Sequence, residues 1–277
     1  MSRADLHLHT CYSDGLYTPV ELVSAACRLG LAVIAVTDHD TLDGLEPVCR
    51  AAEGTAVRVL PGVEITAEVG GREIHLLGYF FGDGWRAGPL WAAMEQARQR
   101  RVERARRFVE QLNRLGIELT MAEVEACAGP GTIGRLHVAQ ALVRRGAVKS
   151  VDEAFQRFLR RGQPAYVERE RMPVGEAIRL VRGAGGVAVL AHPGLNGVDG
   201  AIAVMREMGL AGLEVWHTKH TRAQAEHYRA LAEQLGLVAT GGSDCHGAVG
   251  GGPLIGSVTV PAQVVEELEA RVTCSAC

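Results

Sequence analysis

Residues 5–10, Asp5-Leu6-His7-Leu8-His9-Thr10, alternate polar and apolar with the two-residue period of a strand. His7 and His9 are therefore expected on one face, with Leu6 and Leu8 buried on the other. Thr18-Pro19-Val20-Glu21 has the form of a capping box with proline at the first helical position, opening a helix that runs to about Leu29 and stops at Gly30. The near-continuous apolar run 31–36 reads as a strand covered on both faces, as in a parallel sheet, and ends in Thr37-Asp38-His39-Asp40. A short helix over 43–53 leads to a strand over 57–66 that carries Glu64. Gly70-Gly71 marks a turn, and 73–79, with His75, is the next strand.

There the β-α-β rhythm stops. Residues 90–161 are helical in pattern: an arginine-rich segment over 94–115, a helix capped at Thr120-Met121-Ala122-Glu123, then 136–145 and 152–161. The rhythm resumes with a helix over 174–181 and a strand over 186–191 that ends in His192-Pro193. A helix over 201–208 and a strand over 212–216 ending in His217 follow. Thr221 to Gln224 cap another helix, the strand 237–240 runs into Gly241-Gly242-Ser243-Asp244-Cys245-His246, and a strand over 255–260 with a helix over 261–271 closes the pattern. This order predicts an α/β barrel domain from 1–90 and 166–277, interrupted by a small helical domain over 91–165.

A chain of 277 residues with 47% apolar residues and a net charge of −3 has an ordinary globular composition and no basic excess pointing to stable duplex DNA binding. The charge is uneven, however. Residues 92–161 hold 14 Lys and Arg against 8 Asp and Glu, an excess of six positive charges that flags an anionic partner. Seven cysteines, an odd number at irregular spacing, do not form a disulfide framework, and Cys274-Ser275-Ala276-Cys277 lacks the second pair a zinc site needs. No apolar run approaches the ~20 residues of a membrane span, and Met1-Ser2-Arg3 leads into a strand without a secretory apolar region, so a cytoplasmic location is expected.

His7 and His9, His39, Glu64, His75, His192, His217 and the pair Asp244 and His246 all fall at or just past the C-terminal ends of expected strands. A lone His-x-His can be an incidental surface pair. In a barrel, however, those strand ends meet at one mouth. Imidazoles mixed with carboxylates suit Zn²⁺, Mn²⁺ or Fe²⁺, and so many ligands exceed what one ion can use. Two or three metals are implied, Glu64 is suited to bridge a pair, and the natural chemistry is phosphate-ester hydrolysis by a metal-activated water.

The motifs Asp5-Leu6-His7-Leu8-His9-Thr10 with Ser13-Asp14-Gly15, Thr37-Asp38-His39-Asp40, Gly62-Val63-Glu64, Ala191-His192-Pro193 and Gly242-Ser243-Asp244-Cys245-His246 resemble the PHP (polymerase and histidinol phosphatase) family of metal-dependent phosphoesterases. The resemblance implies a distorted (β/α)7 TIM-like barrel holding two or three divalent ions. One site would use His7, His9, Glu64 and Asp244, a second Asp14, His39 and His246, and a third Glu64, His75 and His192. Aspartate at position 14 leans toward Mn²⁺ over Zn²⁺.

Gly134-Arg135-Leu136-His137-Val138-Ala139, residues 154–159 and residues 162–167 look like the bacterial subgroup that removes the 3′-phosphate of 3′,5′-nucleoside bisphosphates such as pAp and includes 5′→3′ exoribonucleases acting on short RNA. The expected substrate is thus a nucleotide or short oligonucleotide. Arg135 and His137 are expected phosphate contacts, joined by His217 and His220. Asp244 is the candidate for the nucleophile's proton, and His39 or His217 for the leaving oxygen. The glycine-rich stretch 247–252 departs from the pattern at the rim of the site. A histidinol-phosphate-like phosphatase, a metal-dependent amide hydrolase and a non-catalytic metal-binding module remain the alternatives.

Overall fold

The computed structural model describes residues 2–129, 131–247 and 254–272. Residues 248–252 of the glycine-rich stretch, and the terminal Cys274 and Cys277, lie outside the described residues.

The first half runs β1 (Arg3–Leu8), α1 (Pro19–Arg28), β2 (Leu31–Val36), α2 (Leu45–Ala52), β3 (Arg58–Val69) and β4 (Arg72–Phe80). The helical stretch contains α3 (Pro89–Arg114), α4 (Met121–Ala128), α5 (Arg135–Arg144) and a short turn α6 (Val151–Ala154) that passes into a wider helical turn at Phe155–Leu159. After it come β5 (Met172–Pro173), α7 (Val174–Gly183), β6 (Gly186–Leu190), α8 (Asp199–Glu207), β7 (Gly212–His217), α9 (Arg222–Leu235), β8 (Val238–Gly242), β9 (Val260–Pro261) and α10 (Gln263–Glu269). The capping boxes at Thr18, Thr120 and Thr221 form as their spacing requires. Of the closing strand expected over 255–260, only Val260 pairs, antiparallel to β1 together with Pro261.

Strand order around the sheet is β8-β7-β6-β4-β3-β2-β1. The ring is drawn closed where β8 runs out beside β1: the Asp244 N–H donates to the His7 carbonyl at 2.9 Å and the His9 N–H to the Cys245 carbonyl at 3.1 Å. Seven strands thus make a nearly closed, distorted TIM-like barrel. The distortion is β4, which is antiparallel to both β3 and β6. This corrects one expectation. His75 lies near the start of its strand, and it reaches the common mouth because that strand runs the other way.

Strand β1 holds a second correction. Its register against β2 is irregular between Asp5 and Leu8, so Leu6 and Leu8 do not share one environment. Leu6 packs with Val33, Leu60, Leu77 and Tyr79 in a cluster of alternate strand residues closed by Val264, Val265 and Leu268 of α10. Leu8 packs with Leu22, Val36 and Leu45 in the layer between sheet and helices. The irregularity leaves His7 and His9 at the same site while both leucines stay buried.

Helix α3 spans two cores. Leu90 and Met94 belong to the barrel's outer layer. Phe108 and Leu112 belong to a separate cluster with Val124, Val138, Leu142 and Leu159 of the helical stretch. Among the described residues, no helix is long and apolar enough to cross a membrane.

Candidate active site

Three buried aspartates in the sequence motifs are spent on holding loops. Asp38 accepts from the Thr10 N–H at 2.7 Å and from the Thr10 and Ser13 hydroxyls at 2.6 Å each, which ties the loop after β1 to the end of β2. Asp5 accepts from the Ser243 N–H at 2.8 Å and its hydroxyl at 2.6 Å, joining β1 to the loop after β8. Burial pushes the Asp5 carboxyl up to about 6, against the pull of these Ser243 bonds. Asp40 accepts from the Thr66 N–H at 2.7 Å and from the guanidiniums of Arg101 and Arg169. The loops so fixed present the ligating side chains.

Glu64, fully buried on β3, is the centre. Its Oε2 lies 3.3 Å from His7 Nε2, 3.2 Å from His9 Nε2 and 3.0 Å from His39 Nδ1, while Oε1 lies 2.7 Å from His75 Nδ1 and 3.0 Å from His192 Nε2. Asp244 Oδ1 stands 3.5 Å from His7 Nε2 and 3.2 Å from His9 Nε2. Asp14 Oδ1 stands 3.2 Å from His246 Nε2, and its Oδ2 3.8 Å from His39 Nε2.

Among the described residues, four groups of ligand atoms lie within 4.8 Å of one another: His7, His9, Glu64 and Asp244; His9, Asp14, His39 and His246; His39, Glu64 and His75; and His7, Glu214 and His217. The first matches the expected set and the second adds His9 to it. In the third, His39 joins Glu64 and His75, with His192 on the same carboxylate oxygen as His75.

These atoms fit cations better than they fit each other. His7 Nε2, His9 Nε2, His39 Nδ1, Glu64 Oε2 and Asp14 Oδ1 are buried without a hydrogen-bond partner although they crowd together. The tautomers agree. His7 Nδ1 faces Glu214 Oε1 at 2.9 Å and His246 Nδ1 faces the Asp244 carbonyl at 3.0 Å, contacts that place the proton on Nδ1 and leave the Nε2 lone pair for a metal. Imidazole and carboxylate donors in overlapping sets suit Mn²⁺, Fe²⁺ or Zn²⁺.

Burial disfavours charge on His7 and His9. The Glu214, Glu64 and Asp244 carboxylates nevertheless hold His7 well above the usual histidine range, and Asp244 and Glu64 hold His9 up at about 10. Glu64 and Asp244 sit well below the usual carboxylate range, because the facing imidazoles outweigh their burial. Burial pulls His39 and His192 down. Non-glycine residues with positive φ among the described ones are Asp40 (51°), His192 (29°) and Asp244 (53°), all in or beside this cluster.

The other expected residues divide. Arg135 lines a cavity of about 200 Å³ that also reaches Asp14, His39 and His75. His137 turns back on its own helix, where Nδ1 accepts the Gly134 N–H at 3.1 Å, and it does not line that cavity. His220 has both nitrogens engaged, with Nδ1 on the Val215 carbonyl at 2.9 Å and Nε2 accepting the Gly194 N–H at 3.1 Å. His217 is buried between Asp244 Oδ2 at 3.2 Å and the Lys219 N–H at 3.2 Å, so it orients Asp244.

Sequence reasoning missed Glu214, whose signal was a carboxylate inside the apolar strand Gly212–His217. Its two oxygens meet His7 Nδ1 and the His192 N–H. It also missed Arg101, Arg104 and Arg169, which line the same cavity as Arg135. Arg101 and Arg104 stand among many arginines of α3, and Arg169 lies outside it in the segment before β5, so spacing alone did not single these out.

Comparison with known proteins agrees with this arrangement. A model of the PHP domain matches residues 5–101. The chain is 33% identical to a 3′,5′-nucleoside bisphosphate phosphatase of Chromobacterium violaceum, with 98% of each chain covered. It is 32% identical to a 5′-3′ exoribonuclease of Haemophilus influenzae, covering 88% of this chain and 90% of that one. A solved structure from Bifidobacterium adolescentis, described as a metal-dependent phosphoesterase, superposes with a TM-score of 0.86 at 33% identity, over 98% of this chain and 96% of that one. The clustered donors around Glu64, on a barrel shared along its whole length with such relatives, place this chain in the PHP domain family as a metal-dependent phosphoesterase, a hydrolase of phosphoester bonds.

Proposed function

We propose that the protein removes the 3′-phosphate from 3′,5′-nucleoside bisphosphates, with short 5′-phosphorylated RNA as a second substrate of the same site. The observation that carries this reading is the composition of the cavity. It is lined by Asp14, His39 and His75 of the ligand cluster and by Arg101, Arg104, Arg135 and Arg169 with Phe108 and Phe155. A substrate with one phosphate at the cluster and a second anion a nucleoside away matches both sets; a small aminoalcohol phosphate leaves Arg104 and Arg135 without an anion. Arg104 and Arg135 are the residues for the second anion. The Arg104 guanidinium lies over the Phe108 ring at 5.2 Å and that of Arg135 over Phe155 at 5.9 Å, which fixes both forks.

His7, His9, Asp14, His39, Glu64, His75, His192, Asp244 and His246 would hold two or three divalent ions, and the carboxylate share of the set favours Mn²⁺. Such ions supply Lewis acidity, lowering the pKa of water and neutralising charge on phosphate oxygens. Asp244 takes the nucleophile's proton through Oδ2, which His217 orients. Of the two imidazoles considered for the leaving oxygen, His39 lines the cavity and His217 does not. Residues 91–165 form the lid that brings Arg135 over the mouth, and the protein acts on soluble cytoplasmic substrates.

The test is phosphate or nucleotide release by Mn²⁺-loaded protein on pAp, a short 5′-phosphorylated RNA and histidinol phosphate side by side. The two nucleotides should be preferred, and Arg135→Ala should raise KM for pAp by about tenfold or more. Equal or better turnover of histidinol phosphate would contradict the reading.

A further inference from the structure

The cavity at the ligand cluster shares Thr66, Arg101, Arg104 and Arg169 with a second cavity of about 340 Å³. The second one contains none of the clustered histidines. Its apolar lining comes from Ile65, Met94, Ala97, Val167 and Met172. The shared arginines thus form a wall with the phosphoesterase site on one side and a partly apolar space on the other.

The charges of this wall do not cancel. Arg101 and Arg169 share the single carboxylate of Asp40, to which both donate. The Arg104 guanidinium donates only to a neutral group, the Val167 carbonyl, at 3.0 and 2.9 Å. The glutamates of the two linings pair elsewhere, Glu73 and Glu168 with Arg171, Glu103 with Arg107 and Glu170 with Arg100, so three guanidiniums against the Asp40 carboxylate leave two positive charges held between the cavities. Burial, with Arg135 and Arg169 alongside, pulls Arg104 down to about 10, against the opposing pull of Tyr166 and Glu73. Two fixed positive charges match a diphosphate diester, which carries one negative charge on each phosphorus.

We propose that the second cavity is a subsite for a group joined to the substrate's 5′ end through a diphosphate. The two phosphates would meet the arginine wall and the uncharged remainder would lie on the apolar lining. The enzyme would then also act on 3′-phosphonucleotides esterified at a 5′-diphosphate. The reaction is hydrolysis: water attacks the 3′-phosphorus, the P–O3′ bond breaks, the 3′-oxygen takes a proton, and inorganic phosphate leaves. The inference rests on the 3′-phosphatase reading above, and it extends that reading from nucleoside bisphosphates to larger diphosphate esters.

Coenzyme A, a 3′-phosphoadenosine with a 5′-diphosphate ester, is a suitable probe beside pAp. The Mn²⁺-loaded wild type should release phosphate from both, with KM values within about tenfold. Ala97 lines the second cavity and not the first, so Ala97→Trp should raise KM for coenzyme A by about tenfold or more while pAp stays within about twofold. Ala97→Leu, a smaller change on a helix, should move coenzyme A in the same direction and covers the case in which the tryptophan variant fails to fold. Wild-type turnover of pAp with none of coenzyme A, or equal effects of the folded variants on both substrates, would overturn the subsite. No phosphate from pAp would overturn the reading beneath it as well.

Discussion

Glu64 Oε2 and the Nε2 atoms of His7 and His9 are buried, crowded to within 3.3 Å and without hydrogen-bond partners, an arrangement that costs free energy unless something cationic is shared among them. Most of this was legible in the sequence, because histidines and carboxylates stood at strand ends and strand ends converge. The supporting groups were less legible. Glu214 reads as one acidic residue in a strand, and only the fold shows that it fixes the tautomer of His7 from a position 207 residues away. Glu214→Gln keeps the shape and removes the charge that holds the proton on His7 Nδ1. Metal affinity measured by competition with a chelator should fall about 10- to 100-fold, with circular dichroism unchanged. Unaltered affinity would show that His7 needs no such partner. His137 and His220 illustrate the opposite error: each is a histidine near the site whose lone pair is spent on a backbone N–H.

Helix α3 and the loop after β2 meet at Asp40, the last residue of the Thr37-Asp38-His39-Asp40 motif, which clamps Arg101 and Arg169. Burial opposes the Asp40 charge, but the two guanidiniums hold its pKa well below the usual carboxylate range. A depressed carboxylate pKa stabilises the fold above its unfolded value near 3.8, and that contribution is lost as the pH falls below it. Asp40→Asn should therefore destabilise the protein by about 3 kcal/mol in urea unfolding at pH 7, and the difference from wild type should shrink as the pH is lowered below 4. A difference that stays constant with pH would mean that the clamp is not ionic. At this scale the sequence showed the helices and their caps but not the direction of β4. A turn at Gly70-Gly71 was visible, yet the consequence, that His75 enters the mouth from the start of its strand, depends on antiparallel pairing with β3 and then with β6. Local pattern carries no information on that partner.

The barrel as a whole depends on how closely β8 approaches β1. A Cβ on Gly242 would stand 2.4 Å from both the Cβ and the backbone nitrogen of His7, so only glycine permits the contact that brings Asp244 to His7 and His9. Gly242→Ala should cost about 3 kcal/mol or more in thermal or urea unfolding and weaken metal binding as well. Wild-type stability with full metal binding would mean that the ring closes elsewhere. Closure between residues nearly 240 positions apart was readable only as a rhythm of strands and helices, and the arginine wall between two cavities was not readable at all, because it forms where α3, the loop after β2 and the segment before β5 meet.

The central claim is that Glu64 organises a multi-metal phosphoesterase site, and the most direct test is the metal content of Glu64→Ala measured together with phosphate release from pAp. Wild-type protein should carry two or three divalent ions per chain and release phosphate. The variant should keep its fold, lose most of that metal and show turnover at background level. A folded variant with wild-type metal content and turnover would contradict the account.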